Sequence, residues 1–158
     1  MKKGLARSNS GGFTFLELML VIAILGILAT LITGNFLTSL KKGRDARRKI
    51  DIEQIQKSLE MYYEDKRAYP ATITFGANLN DPISGKVYMQ KIPNDPITNN
   101  NYVYTIDPDG VGNYYKLYSC LENTQDTGAG VNQAGYVDTD CGGCGICKYG
   151  ISSGNVAL

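Results

Sequence analysis

The sequence predicts an α+β protein, in which a long N-terminal α-helix packs against a small antiparallel β-sheet head with a disulfide-rich C-terminal tail. A nearly continuous apolar run occupies residues 13–32, and an amphipathic helical pattern follows it. Short β-like runs with turn signals begin after residue 70. The four cysteines all lie at or after position 120, as expected for disulfides in an exported domain.

The apolar run FTFLELMLVIAILGILATLI is long enough to cross a bilayer, because twenty helical residues extend about 30 Å. The twelve residues before it carry Lys2, Lys3 and Arg7 and no acid. An ordinary secretory signal has a shorter apolar stretch followed by a small-residue cleavage site, and the sequence after residue 28 is a poor match to one. A plain uncleaved membrane anchor is the alternative interpretation of this segment.

Glu17 is the one charged residue in the apolar run. A carboxylate in hydrocarbon costs at least ~2.5 kcal/mol, so a partner is expected. Cleavage just before Phe13 would create a free α-amine one helical turn away, in the same or a neighbouring copy. The helix dipole also favours a carboxylate near a helix N-terminus. A charge at Glu17 is therefore accounted for if the residues before Phe13 are removed and copies of the chain stack.

The string GFTFLE at residues 12–17 resembles the processing site of type IV prepilins and pseudopilins. The resemblance implies that a prepilin peptidase cuts between Gly12 and Phe13, that Phe13 is then N-methylated, and that Glu17 is the assembly carboxylate. It also implies four segments, which are a cleaved leader (1–12), a transmembrane or filament-core half of the helix (13–33), an amphipathic half of the helix (34–65), and a globular head (66–158) with a Cys-rich tail from 120.

The second half of the helix has an apolar stripe at Ile52, Ile55, Leu59 and Tyr62. Two i,i+4 acid-to-base pairs are expected to support it, Asp45–Lys49 and Glu53–Lys57. The helix is predicted to end near Asp65, before Tyr69-Pro70. Gly34 stands where many members of the resembled family carry proline, so local loosening is expected there.

The charged stretch 41–49 has two open interpretations, a contact between subunits or a solvated helical face. It contains six basic residues, and the positive-inside rule alone would place the C-terminal side in the cytoplasm. The prepilin-like leader and the cysteines favour export instead. We expect a single-pass protein of the cytoplasmic (inner) membrane with an exported head, which then enters an extracellular or periplasmic filament.

In the head, residues 102–106 and 114–120 are predicted strands, and the turn sequence DPDGVGN connects them as a hairpin. Their alternation predicts one face on the helix and one outward. Tyr136-Val137 is expected to form another strand. The segment KIPNDP at residues 91–96 resembles the proline loop of the major pseudopilin of type II secretion. Ile97-Thr98 replace the Trp-Gly that often follows there, so pilus and pseudopilus both stay open.

The cysteine run CGGCGIC, together with Cys120, allows two disulfides or a metal or iron–sulfur site. Export favours disulfides, with Cys120 joined to one of the clustered residues Cys141, Cys144 and Cys147; the pairing is open. Two acidic pairs are candidate calcium ligands, Asp107 with Asp109 and Asp138 with Asp140. Each pair offers only a few oxygens, so turn formation is the preferred interpretation and no cofactor is expected.

The absence of histidine excludes His-based triads, and a net charge of +1 gives no reason to expect nucleic acid. The predicted function is a non-enzymatic structural subunit of a type IV pilus-like or type II secretion pseudopilus filament. The resemblance implies as partners copies of the chain, a prepilin peptidase/methyltransferase, an inner-membrane assembly platform with its ATPase, minor pilins or pseudopilins, and membrane lipid before assembly. The alternatives are a membrane-tethered binding module and a metal or redox protein that uses the four cysteines.

Overall fold

The computed structural model describes residues 11–154 and 156–158, without the side chains of residues 31–35. The basic residues of the predicted leader, Lys2, Lys3 and Arg7, lie outside the described residues. The chain divides into two compact units, Met1–Thr38 and Ser39–Leu158. The described elements are α1 (Phe15–Lys66), β1 (Leu79–Asn80), β2 (Val87–Met89), β3 (Val103–Ile106), β4 (Tyr115–Ser119) and β5 (Tyr149–Ser152).

Both ends of α1 have local causes. At the start, the side-chain oxygen of Thr14 accepts the backbone N–H of Glu17 at 3.2 Å, which is the Ncap half of a capping box. At the end, Arg67 takes a left-handed φ of 57° and its N–H bonds to the carbonyl of Tyr63 at 2.7 Å. The end predicted near Asp65 is therefore one residue short. The helix continues through Gly34, so loosening there is not seen in this single chain.

The predicted apolar stripe forms the core of the C-terminal unit. Ile52, Ile55 and Leu59 are fully buried, and they belong to one hydrophobic cluster with Tyr115 and Leu117 of β4. One face of a small antiparallel sheet thus lies on the second half of α1, as predicted. This confirms the α+β fold class.

The head contains two small antiparallel sheets, β1-β2 and β3-β4-β5. The strands β3 and β4 pair with Val103 opposite Tyr118 and Ile106 opposite Tyr115, so the predicted hairpin is present. In its turn Gly112 has a φ of +83°, and a Cβ there would lie 2.6 Å from the carbonyl oxygen of Tyr69. The turn therefore requires glycine at this position, because the chain after α1 passes directly against it.

Two expectations for the head are wrong. Residues 136 and 137 form no strand: Tyr136 packs its ring against Tyr118 at 5.0 Å, and Val137 lies in a turn. The outer face of β4 is also not solvated, because Tyr118 is buried in a second cluster with Cys120, Cys141 and Cys147. Both differences have one cause, since the cystine-rich tail folds back over the sheet and takes its backbone path from the disulfides.

Candidate functional site

The large apolar side chains that the structure describes in the N-terminal unit are exposed. Phe13, Leu16 and Ile27 are 84%, 74% and 64% exposed, and the large apolar side chains between them are exposed as well. A continuous apolar surface of this kind is rarely left in water by a soluble protein, so it is expected to contact lipid or other protein chains. Among residues with described side chains, no helix is both long enough and apolar enough to span a membrane.

Glu17 lies on this apolar helix with an exposed side chain. Its position in the first turn of α1 places the carboxylate near the positive end of the helix dipole. Its backbone N–H is already bonded to Thr14, whereas its exposed carboxylate has no hydrogen-bond or ion-pair partner among the described residues. The geometry is therefore compatible with the predicted assembly role, which the single chain does not test.

Gly12 and Phe13 precede the helix in a segment without regular secondary structure. A Cβ added at Gly11 or at Gly12 would meet nothing within 4 Å. The folded chain therefore does not itself require glycine at position 12. If only glycine functions there, the requirement comes from a protein that binds this segment.

In the C-terminal unit the guanidinium of Arg48 is fully buried among three carboxylates. It donates to both oxygens of Asp95, at 2.6 and 3.0 Å, and to Asp45 and Glu122, each at 2.8 Å. Burial alone would lower the pKa of Arg48, but the hydrogen bonds to Asp95 and Glu122 outweigh it and raise this pKa. Arg48 therefore stays charged and ties α1 to two segments that are distant in sequence.

The carboxylates of this cluster also organise backbone. Asp45 accepts the backbone N–H groups of Glu122 at 3.0 Å and Asn123 at 2.7 Å, and so fixes the chain after β4 onto α1. The Nε of Arg44 donates to Glu122 at 2.7 Å. This bond, together with Arg48 and against the opposing effect of burial, lowers the pKa of Glu122 to about 2.

Neither interpretation of the charged stretch 41–49 describes Asp45 and Arg48, which are buried within the C-terminal unit, and both stay open for the exposed Lys41, Lys42 and Arg47. Asp45 does not pair with Lys49 as predicted; it bonds to Arg48, and Lys49 reaches Asp126 at 2.6 Å. The signal for this was present in the sequence, because positions 45 and 48 continue the apolar stripe of Ile52 and Ile55 with the same helical spacing. Charged residues on a buried stripe require partners.

The proline loop takes part through Asp95, which also accepts the backbone N–H of Ile97 at 2.8 Å. Its carboxylate side chain is fully buried against Arg48. The loop is therefore anchored to α1 by a bidentate ion pair, in addition to the stiffness that Pro93 and Pro96 provide.

The predicted disulfides are present, and the pairing left open by the sequence is Cys120–Cys144 and Cys141–Cys147. All four sulfurs are therefore used, which contradicts the four-cysteine metal alternative. The residues with described positions include no cluster of three or more His, Cys, Asp or Glu suited to a metal ion.

In each of the two acidic pairs considered as calcium ligands, one aspartate accepts hydrogen bonds from the backbone of a turn. Asp107 is buried and accepts the backbone N–H groups of Gly112 at 2.8 Å and Asn113 at 3.3 Å. Asp140 accepts the N–H of Gly142 at 2.8 Å. Asp109 and Asp138 are exposed. The contacts of Asp107 and Asp140 agree with the turn-forming role that the sequence favours for them.

The comparison with protein families agrees with both parts of the chain. The family "Type II secretion system (T2SS), protein G" matches residues 35–135, and the prokaryotic N-terminal methylation motif matches residues 7–33. Because the first match covers more than half of the sequence, the chain belongs to the type II secretion system protein G family. The resemblance indicated by GFTFLE and KIPNDP is confirmed.

Curated relatives carry the same name. Type II secretion system core protein G of Aeromonas hydrophila is 39% identical over 66 residues, 42% of this chain and 46% of the relative. The protein of that name from Escherichia coli (strain K12) is 37% identical over 67 residues, also 42% and 46% of the two chains. The one from Vibrio cholerae is 41% identical over 61 residues, 39% and 42% of the two chains. The chain thus spans less than half the length of the curated relatives it matches. No solved structure matches it significantly.

Proposed function

We propose that the chain is a structural subunit of a pseudopilus-like filament that polymerises through its N-terminal helix. One observation carries the proposal: the methylation motif at residues 7–33 coincides with a helix whose apolar side chains are exposed in the single chain. Membership of the protein G family supports a secretion pseudopilus over a surface pilus.

Assembly by this helix is favourable because it removes the apolar surface from solvent or lipid. Full burial of a Leu, Ile or Phe side chain contributes about 1.5–3 kcal/mol relative to water, and the helix presents many such residues. Apolar contacts alone do not define an axial position. Pairing of Glu17 with the α-amine of Phe13 in a neighbouring copy would supply that register.

The proposal also states where the subunit is located at each stage and which proteins act on it. The subunit is first anchored in the cytoplasmic membrane, where a prepilin peptidase removes residues 1–12 and methylates Phe13. An assembly platform with its ATPase then moves the subunit from lipid into a filament, together with minor pseudopilins. The head lies outside the cytoplasm, which agrees with its two disulfides.

Two glycine variants test the processing step in cells that contain the peptidase. Gly12→Val should retain the leader, because a branched side chain at the cleavage position obstructs the peptidase. Gly11→Val is the matched control, since both glycines lack neighbours within 4 Å, and it should still be cleaved. The measurement is the mass of the N-terminal peptide from membranes. Equal cleavage of both variants, or Met1 on the wild-type protein, would contradict the proposal.

Imaging separates this function from a membrane-tethered binding module. The filament proposal expects fibres labelled by an antibody to the head when the secretion components are co-expressed. A tethered module would give processed or unprocessed protein in the membrane fraction and no fibres.

A further inference from the structure

We propose that neighbouring copies also contact each other through their heads, by docking an acidic turn of one copy into a basic groove of the next. The acidic turn comprises residues 136–140, with Val137 at its tip and Asp138 and Asp140 beside it. The basic groove lies between α1 and the proline loop and is lined by Arg47, Gln54, Lys91, Pro93 and Pro96, together with Asn94 and the buried Asp51 that pairs with Arg47. This contact rests on the filament function proposed above and names its second interface.

The acidic turn has an unoccupied apolar and anionic surface. Val137 is 86% exposed, although it is a large apolar residue in a small head. Asp138 is exposed, has a left-handed φ of 59°, and has no hydrogen-bond or ion-pair partner among the described residues. One oxygen of Asp140 holds the N–H of Gly142 at 2.8 Å, and the residue is exposed.

The acidic turn is also held in one conformation. The N–H of Tyr136 bonds to the carbonyl of Cys147 at 2.9 Å, and its hydroxyl bonds to the carbonyl of Gly130 at 2.9 Å. The hydroxyl of Thr139 donates to the carbonyl of Tyr136 at 2.7 Å, and the disulfide Cys141–Cys147 follows directly. A pre-ordered loop loses little entropy on binding, which favours its use as a docking element.

The basic groove has complementary chemistry. Its volume is about 600 Å³, enough for the side chains of a short turn. Lys91 is exposed and has no ion-pair partner among the described residues. Arg47 is 68% exposed and uses its Nε on Asp51 at 3.0 Å, and no other partner of its guanidinium is found among the described residues. Pro93 and Pro96 provide apolar surface for Val137.

A second copy of the chain is the occupant that these features fit. The turn and the groove are different surfaces of the same unit, and when a copy docks its turn in one neighbour and receives the turn of another neighbour in its groove, the contact is heterologous and leaves one free turn and one free groove at the two ends of the chain of copies. Heterologous contacts of this type propagate into open chains, as a filament requires. Opposite charges at the two surfaces select this pairing over turn-to-turn or groove-to-groove contact.

Zero-length cross-linking of purified filaments tests the contact directly. A carbodiimide joins a lysine amine to a carboxylate only when the two groups touch. The dimer band from a denaturing gel should contain a peptide that links Lys91 to Asp138 or Asp140. The intrachain pair Lys49–Asp126, 2.6 Å apart, is the internal positive control. A dimer band without a link from Lys91 to Asp138 or Asp140 would overturn the proposal.

Charge exchange gives a second test in the full chain. Asp138→Lys and Lys91→Glu should each lower the number of filaments about tenfold, because each places like charges together. The double variant should recover most of the loss. Asp109→Lys, on another exposed loop, is the matched control and should assemble normally. Unchanged unfolding midpoints would show that the heads are intact.

The outcomes separate this contact from the filament function. Normal filaments from both single variants, or no recovery in the double variant, would overturn the contact alone. Absence of filaments from the wild-type protein, with all assembly components present, would overturn the filament function and this contact with it.

Discussion

Glu17 has two possible roles at the residue scale, and its charge distinguishes them. As the third residue after the Thr14 cap it occupies the acidic position of a capping box, which glutamine fills equally well. As an assembly carboxylate it requires its negative charge. We expect Glu17→Leu and Glu17→Gln both to abolish filaments while leaving processing and protein level unchanged. Loss of one partner from a buried pair costs about 3–5 kcal/mol, since the other charge is left unpaired.

Filament counts by electron microscopy, with an immunoblot for the mature protein, measure this effect. If Glu17→Gln assembled normally and only Glu17→Leu failed, capping would be the role of Glu17. Normal filaments from both variants would leave Glu17 without a role in assembly.

Arg48 is the residue whose loss should most affect the stability of the head. Arg48→Met keeps an unbranched side chain of similar length and removes the charge, so that Asp95 and Asp45 lose their buried cation. We expect the free energy of unfolding to fall by about 3–5 kcal/mol. Lys57→Met is the control, because Lys57 is exposed on the same helix, has no ion pair among the described residues and should change stability by less than about 1 kcal/mol. Denaturant unfolding of the full chain in detergent measures both.

Glu17 can be singled out from the sequence more readily than the contacts of Arg48 can. Glu17 is visible because it is the one charge in an apolar run. Arg48 stands among five other basic residues, and its partners Asp95 and Glu122 are 47 and 74 residues away. A helical pairing rule considers only neighbours on the same helix, and therefore it assigns Asp45 to the wrong base. The burial of Arg48 is predictable from the stripe, but its partners are not.

At the scale of elements, the two disulfides of the cystine-rich tail are expected to stabilise the protein to different extents. The disulfide Cys120–Cys144 closes a loop of sequence separation 24, whereas Cys141–Cys147 closes one of separation 6. In the chain-entropy model these loops contribute about 3.5 and about 2.5 kcal/mol. The double variant Cys120→Ser, Cys144→Ser should therefore be less stable than the double variant Cys141→Ser, Cys147→Ser. Unfolding midpoints compare them, and the reverse order would contradict the loop account.

The sequence predicts correctly those elements that depend on residues close together in the chain. The stripe of Ile52, Ile55 and Leu59 and the hairpin around Gly112 follow from spacing and turn residues. The sequence predicts the tail poorly, because two disulfides and hydrogen bonds from side chains determine the path of its backbone. Tyr136-Val137 has β-forming residues, yet the contact of Tyr136 with Tyr118 and the disulfide at Cys141 hold it in a turn.

For the whole molecule, the paired carboxylates predict loss of stability in acid. The pKa of Glu122 is lowered from 4.5 to about 2, and that of Asp126 is lowered by its bond to Lys49. A carboxylate with a lowered folded-state pKa contributes stability that is present above its unfolded pKa and is lost as the pH falls through the folded value. The free energy of unfolding should therefore be level near neutral pH and decrease between about pH 4.5 and pH 2.

Unfolding measured across this range, with Glu122→Gln as the comparison, tests the assignment. The variant should be less stable at neutral pH and should show a shallower dependence on pH. A wild-type profile that stays flat down to pH 2 would contradict it.

The sequence predicts the architecture of the whole molecule. It predicts correctly the surroundings of only one of the two faces of the sheet. Alternation along β4 identifies Tyr115 and Leu117 as facing the helix. It predicts an outward face for Tyr118, which the tail covers instead. Sequence alternation shows which residues share a face, but it does not show whether a later segment returns to cover that face.

The central claim is that the mature chain is a processed subunit polymerised through its N-terminal helix. The N-terminal peptide and intact mass of protein from purified filaments test it most directly. We predict that the filament subunit begins at N-methylated Phe13 and lacks residues 1–12. Filaments whose subunit keeps Met1, or begins at any residue other than Phe13, would contradict it.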